Sequence, residues 1–299
     1  MTASSIKDAY CSFLNTRHGA DVYRQFKRIL YGSADSLIQV LDTQIFEHLI
    51  STRRSPVRIC DIGGGDGERV MSIVAFLHEK FQSRIEIDFI EQSVLYVREF
   101  KRRQQSDYCE TRAHCARFEH VDFHSQRFDL VLLIHSIFAF ENGNSVDKII
   151  SLRDAHGNIV VASNDTNSFL GGLKLLVDEG FDDRRYEISD LKQALLARGI
   201  RFREFTFQTE WAIERKNYDR DVLLILDWIT LGRYSLFTQA KKNDVLDYID
   251  SQSQREENRC FFRENEIVLV IPDFAEAAPI PPMLAGKFQS STSKYTQPS

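Results

Sequence analysis

The chain has 299 residues, 43% of them hydrophobic, and a formal net charge of −5. That length suits one enlarged α/β domain or two smaller ones with a full core, and the mild negative charge leaves no electrostatic footprint for nucleic acid. Five cysteines at positions 11, 60, 109, 115 and 260 form no C-x-x-C pair, which argues for reduced thiols rather than a disulfide framework or a zinc site. The opening MTASSIKDAYCSF lacks the apolar core of a signal peptide. The longest apolar run, Leu130 to Ile134, is far too short to span a membrane. A cytoplasmic protein is expected.

In chain order, residues 21–53 read as helical, with Val22, Phe26, Ile29 and Leu30 in one stripe and Leu37, Val40, Leu41, Ile45 and Leu49 in a second. Between them Tyr31–Ser36 reads as a break and a helix cap. Strands are then expected at Val57–Ile62, Ile85–Ile90, Phe128–Ile134 and Asn158–Ser163, each followed by a polar or glycine-bearing turn. Asp190 to Arg198 reads as a helix stopped at Gly199, Arg201–Phe207 as a strand, and Glu266–Ile271 as the last strand before Pro272. Alternating strands and helices imply a doubly wound, mostly parallel sheet. Residues 208–260 carry two helical patterns, around Leu223–Leu231 and Val245–Ile249, and read as an inserted helical cap. Five of the six prolines lie at or beyond Pro272, so residues 275–299 are expected to form a mobile tail. The expected organisation is a helical segment (1–55), a cofactor-binding core (56–207), the cap (208–260), a last strand (261–274) and the tail.

The most informative stretch is Asp61-Ile62-Gly63-Gly64-Gly65-Asp66-Gly67-Glu68. Strand, glycine turn and helix form the architecture that holds the polar part of a nucleotide-like cofactor at a helix N-terminus. The dinucleotide pattern G-x-G-x-x-G would place its third glycine at 68, where Glu68 stands instead. Carboxylates at the strand end and within the turn suit a cofactor bearing an ammonium group and would repel a pyrophosphate. One β-α unit later, Ile85–Ile90 ends in Glu91-Gln92-Ser93, whose acidic residue can accept two ribose hydroxyls. The paired signals resemble class I S-adenosylmethionine-dependent methyltransferases, which implies that cofactor and a seven-stranded Rossmann-like sheet. Taken singly, each is a tight turn and a surface carboxylate.

The strand Phe128–Ile134 ends in His135-Ser136, where ligands collect in an open α/β sheet. No N/D-P-P-Y motif follows it, which argues against amino-methylation of DNA or of protein glutamine. Asn164-Asp165 alone provide too few oxygen ligands for a catalytic cation, so no metal is expected.

The order of features is similar to that of the histamine N-methyltransferase family over about residues 18–274. The similarity rests on Ile62–Glu68, on Glu91–Ser93 and on the late LLILDWIT helix, Leu223–Thr230. It implies that Asp35 holds a substrate amine and that His135 binds the substrate. The chain departs from the family at Phe138-Ala139 and at Asn164–Asn167, before Phe169. Asp35 reads equally as a helix N-cap, His135 as a structural histidine, and Asn164 and Asn167 as turn formers. Trp211 and Trp228 read first as core, with Trp211 kept as a candidate wall of the substrate site.

The expected cofactor contacts are Tyr23, Asp61, Gly63, Gly64, Gly65, Gly67, Glu91, Gln92, Ser93, Cys115, Ile134 and His135. The expected acceptor contacts are Asp35, His135, Phe138, Asn164, Asn167 and Trp211, with Asp35 and His135 catalytic. The leading expectation is N-methylation of a small-molecule amine. The alternatives are chemistry on the aminocarboxypropyl arm, releasing methylthioadenosine, and a non-catalytic cofactor-binding partner. No motif speaks to the oligomeric state.

Overall fold

The computed structural model describes residues 6–30, 35–46, 55–103, 107–140, 144–178 and 185–272. The expected tail at 275–299 and the break at Tyr31–Ala34 lie outside them. Eight strands form one sheet in the order β3-β2-β1-β4-β5-β8-β6, with the two-residue β7 (Gln254–Arg255) pairing β8. β1 (Val57–Ile62), β2 (Ile85–Glu91), β3 (Cys109–Cys115), β4 (Phe128–Ile134) and β5 (Arg153–Asn164) run parallel. β8 (Arg259–Ile271) inserts antiparallel between β5 and β6 (Arg203–Glu214). This is a doubly wound, Rossmann-like sheet.

The central strands are almost wholly apolar because both faces are covered. Side chains alternate, so Ile59, Leu130 and Leu132 join one buried cluster while Cys60, Ile62, Val131 and Leu133 join another. On the first face lie α3 (Asp35–Leu41), α4 (Glu68–Phe81) and α5 (Val94–Arg103). On the second lie α6 (Asn144–Leu152) and α8 (Ile188–Ala197). A third cluster joins α1 (Ile6–Leu14), α2 (Arg17–Leu30), α7 (Phe169–Asp178), α9 (Tyr218–Ile229) and α10 (Gln239–Gln252). It also takes in Trp211, Ile213 and Phe262 from the outer part of the β6–β8 hairpin.

Three elements differ from the sequence reading. β3, CETRAHC, escapes it because an edge strand is half exposed and carries no apolar run. β6 continues to Glu214, so residues 208–214 belong to the strand and the helical insertion starts later. Its alternating burial reflects one solvated face on the outermost strand of that side. Finally, α1 precedes the expected helical stretch, and its Ile6, Phe13 and Leu14 are buried at helical spacing.

Candidate functional site

The glycine turn sits at the C-terminal end of β1 and is tied to the end of β2. Gly63 and Gly64 amides donate to the Ile90 carbonyl at 2.8 and 3.3 Å. Gly65 donates to Glu91 Oε2 at 3.0 Å, and Ser93 donates to Oε1 at 2.8 Å. One buried carboxylate thus fixes both turns. Gly63 has φ +71°, and an added Cβ there would lie 2.5 Å from Ser136 Cβ. The Ser136 hydroxyl in turn donates to the Ile62 carbonyl at 2.6 Å. No side chain fits between these segments.

The four glycines divide by role. Gly63 and Gly65 line the crevice, whereas an added Cβ at Gly64 would strike Phe89 and Asp61, and one at Gly67 would strike Phe100. Gly64 and Gly67 thus allow close packing against Phe89 and Phe100, and neither lines the two cavities described below. Beneath the turn, buried Asp61 leaves Oδ1 without a hydrogen bond among the described residues. Burial, and next the Glu91 charge, push its carboxyl up to about 7. Burial likewise raises Glu91 to about 7, opposed by its backbone donors. Asp66 is instead consumed by Lys27 at 2.7 Å and Arg103 at 3.1 Å.

Two cavities meet at Gly63, Tyr10 and Phe138. The first, about 470 Å³ and partly open to solvent, is lined by Glu91, Gln92, Ala116, Arg117, Phe118 and Glu119 among others. Lys148 shapes it from behind, donating to the carbonyls of Phe118, Glu119 and Val121 at 2.7 to 3.0 Å. The second, about 630 Å³, lies under the helices of the third cluster. Its walls include Tyr10, Tyr23, Phe26, Phe138 and Trp228, with Ile134, His135, Asn164, Lys174 and Arg185 as the floor and far side. Trp228 joins the walls, with ring centroids 4.7 Å from Tyr23 and 5.3 Å from Phe26.

His135 adopts φ +51° at the end of β4, and its Nε2 lies 2.8 Å from Glu266 Oε1. Glu266 reaches this point because antiparallel β8 pairs it opposite Asn164, at the C-terminal end of β5. Burial lowers the His135 pKa, with nearby Arg69 adding to the effect. Both effects favour the neutral ring, and the Glu266 carboxylate opposes them. Hydrogen bonding to His135 keeps Glu266 below its ordinary range against the opposing effect of burial.

Several expected contacts fall elsewhere. Trp211 is buried on β6 and stacks on Phe262 with centroids 4.4 Å apart, so it belongs to the core and not to the substrate wall. Asn167 is exposed, and its amide donates to Asp165 Oδ1 at 3.1 Å, which makes it a turn former. Cys115 is exposed, with Sγ 3.9 Å from the Gln92 carbonyl, and does not line the first cavity, whose wall there is Ala116. Ser93 is fully buried and positions Glu91. Asp35 opens α3, but its side chain lies outside the described residues. Tyr10, Phe26, Lys174, Arg185 and Trp228 were not expected in the site. Only the Ile6, Tyr10, Phe13 spacing and the apolar face of the late helix hinted at any of them. Among the described residues no cluster of His, Cys, Asp or Glu could hold a metal ion, and no helix is long and apolar enough to cross a membrane.

No family model matches the chain, and no curated protein matches it. Among solved structures, the [4+2]-cyclase SpnF is similar over 91% of this chain and 98% of its own, at TM-score 0.51 and 12% identity. The fold is that of SpnF. Others include the plantazolicin methyltransferase BpumL with a triazolic desmethylPZN analog and SAH (TM-score 0.49, 11% identity, 89% of this chain and 96% of that one). YcgJ from Bacillus subtilis aligns at TM-score 0.49 and 13% identity, over 75% and 96% of the two chains. At such identities the likeness shows the fold alone. The resemblance to histamine N-methyltransferases rests on the quoted segments and is not supported by these matches.

Proposed function

We propose that the protein is an S-adenosylmethionine-dependent methyltransferase acting on the nitrogen of a small-molecule amine. The observation that carries the donor half is the buried, unsatisfied Oδ1 of Asp61 directly beneath a glycine turn held open by Glu91. An orphaned carboxylate oxygen is costly to bury, and the ammonium of a methionine-like ligand would compensate it. Glu91 accepts from the Gly65 and Ser93 amides, with the Gln92 amide a further backbone donor, and retains acceptor capacity for a ribose hydroxyl. The first cavity, with Gln92 and Phe118, would hold the adenosine. Bound there, S-adenosylmethionine supplies an electrophilic methyl group on a sulfonium.

The chain contributes position and a proton acceptor. Tyr10, Tyr23, Phe138 and Trp228 line the space beyond the turn and would orient the acceptor, and orientation would provide most of the rate. An amine must be neutral to attack. A neutral His135 that donates from Nε2 to Glu266 carries its lone pair on Nδ1 and can take the proton that the amine releases. The decisive experiment is calorimetric titration with S-adenosylmethionine, followed by mass spectrometry of products from an amine panel. S-adenosylhomocysteine with a methylated amine is the expected outcome. Methylthioadenosine would move the chemistry to the aminocarboxypropyl arm, and no binding at high micromolar ligand would remove the donor assignment itself.

A further inference from the structure

We propose that Lys174 anchors a carboxylate on the acceptor, so that the substrate is a flat, largely apolar acid as well as a methyl acceptor. The inference rests on the reading of the second cavity as the acceptor chamber. Lys174 lies on α7 and reaches the chamber floor, where Nζ donates to Asn164 Oδ1 at 3.2 Å and stands 6.0 Å from the Phe138 ring centroid. An ammonium has three donors, and this is the one hydrogen bond that Nζ makes among the described residues.

The acids that Lys174 feels are committed elsewhere. Glu264 accepts from the Ser168 hydroxyl and from the Leu170 amide, at the start of α7. Asp178 faces Arg185 Nη1 at 2.9 Å. Glu187 opens α8 in a capping box with Asp190. None of the three lines the chamber, and no described residue that does so is an Asp or a Glu. Arg185 stands in the same wall, held by Asp178 and by the Ile229 carbonyl.

The result is a positively lined, aromatic chamber with an ammonium at its floor that makes no ion pair among the described residues, its nearby acids being engaged by other donors. A buried charge without a partner is unfavourable, and burial lowers the pKa of Lys174 accordingly. A ligand carboxylate would supply the missing partner and two acceptor atoms. The ring faces of Tyr23, Phe138 and Trp228 would take an aromatic body. The cationic surroundings also favour the neutral form of an acceptor amine, as the chemistry needs.

The test uses the full chain saturated with S-adenosylhomocysteine, titrated calorimetrically with anthranilate and indole-3-acetate and with the primary amide of each. In the wild type the acids should bind about tenfold or more tighter than their amides. That ratio should collapse towards unity in Lys174→Met and survive in Lys174→Arg, with S-adenosylhomocysteine affinity retained in both as the check on folding. Equal binding of acid and amide to the wild type, no binding of either at millimolar concentration, or an undiminished ratio in Lys174→Met would each overturn the proposal. Failure of S-adenosylhomocysteine to bind the wild type is a separate result, and it would strike the donor assignment rather than Lys174.

Discussion

The two halves of the crevice are built on different principles. The half proposed for the donor comes from the ends of three adjacent parallel strands: Gly63 and Gly65 after β1, Glu91 and Gln92 after β2, Ser136 after β4. Its contacts are largely backbone, and a single carboxylate closes both turns. The acceptor half is assembled from side chains of α1, α2, α7 and α9, packed over the strand ends. Backbone-built sites tolerate few substitutions, because a Cβ has nowhere to go. A side-chain-built wall can change its specificity without touching the sheet. The same fold can therefore keep one donor while its acceptor differs.

Substitutions can break this contrast or sharpen it. The largest effect is expected from His135→Gln, which keeps a hydrogen bond towards Glu266 but removes the base. Turnover of any amine accepted by the wild type should fall about a hundredfold or more, with S-adenosylmethionine affinity little changed. Unimpaired turnover would place the proton acceptor elsewhere. Next comes Gly63→Ala, which sets a Cβ 2.5 Å from Ser136 at φ +71°. A cost of about 2 kcal/mol in cofactor binding, near thirtyfold in Kd, is expected by calorimetry.

Gly67→Ala probes the opposite role. Its Cβ meets Phe100 2.3 Å away in the core, not the crevice. It should lower unfolding free energy in urea by about 1–3 kcal/mol, while Kd moves less than in Gly63→Ala. If the two glycines behave alike, the division between contact and packing fails.

A smaller effect follows from the buried acids. Asp61 and Glu91 are both raised to about 7 in the fold, above ordinary carboxylates. The folded apoprotein thus holds protons there that the unfolded chain has already released. This contribution to stability is fully present below the unfolded pKa values and is lost as pH rises through about 7. A cationic ligand prefers the ionised acids, so S-adenosylmethionine affinity should rise across the same window, by up to about tenfold. A flat affinity profile in Asp61→Asn would assign the effect to that residue. The smallest change is expected for Asn167→Ala. Its exposed turn should cost less than about 0.5 kcal/mol and leave both ligand affinities unaltered.

The legibility of the site follows the same division. Gly63, Gly65, Glu91 and Gln92 could be read because strand–turn–helix units are local, and their spacing is set by the chain itself. Gly64 and Gly67 sit in the same motif but face Phe89 and Phe100, which spacing cannot reveal. Trp211 and Trp228 could not be told apart as a stretch of letters. Trp228 on α9 turns into the chamber, while Trp211 on β6 stacks on Phe262. Glu266 was readable only as part of a terminal strand; reversal of β8 carries it to His135.

The sequence by itself determined the alternation of strands and helices, the glycine turn with its paired carboxylates, and the strand end that bears His135. Periodicity and turn chemistry act over a few residues, so these features survive without a partner. The tertiary structure alone decided which aromatic rings form the chamber, that Cys115 and Asn167 lie outside it, and that Lys174 stands at its floor beside Asn164. Those outcomes depend on how helices far apart in the chain pack against one another, and burial of a charge is a property of the whole fold.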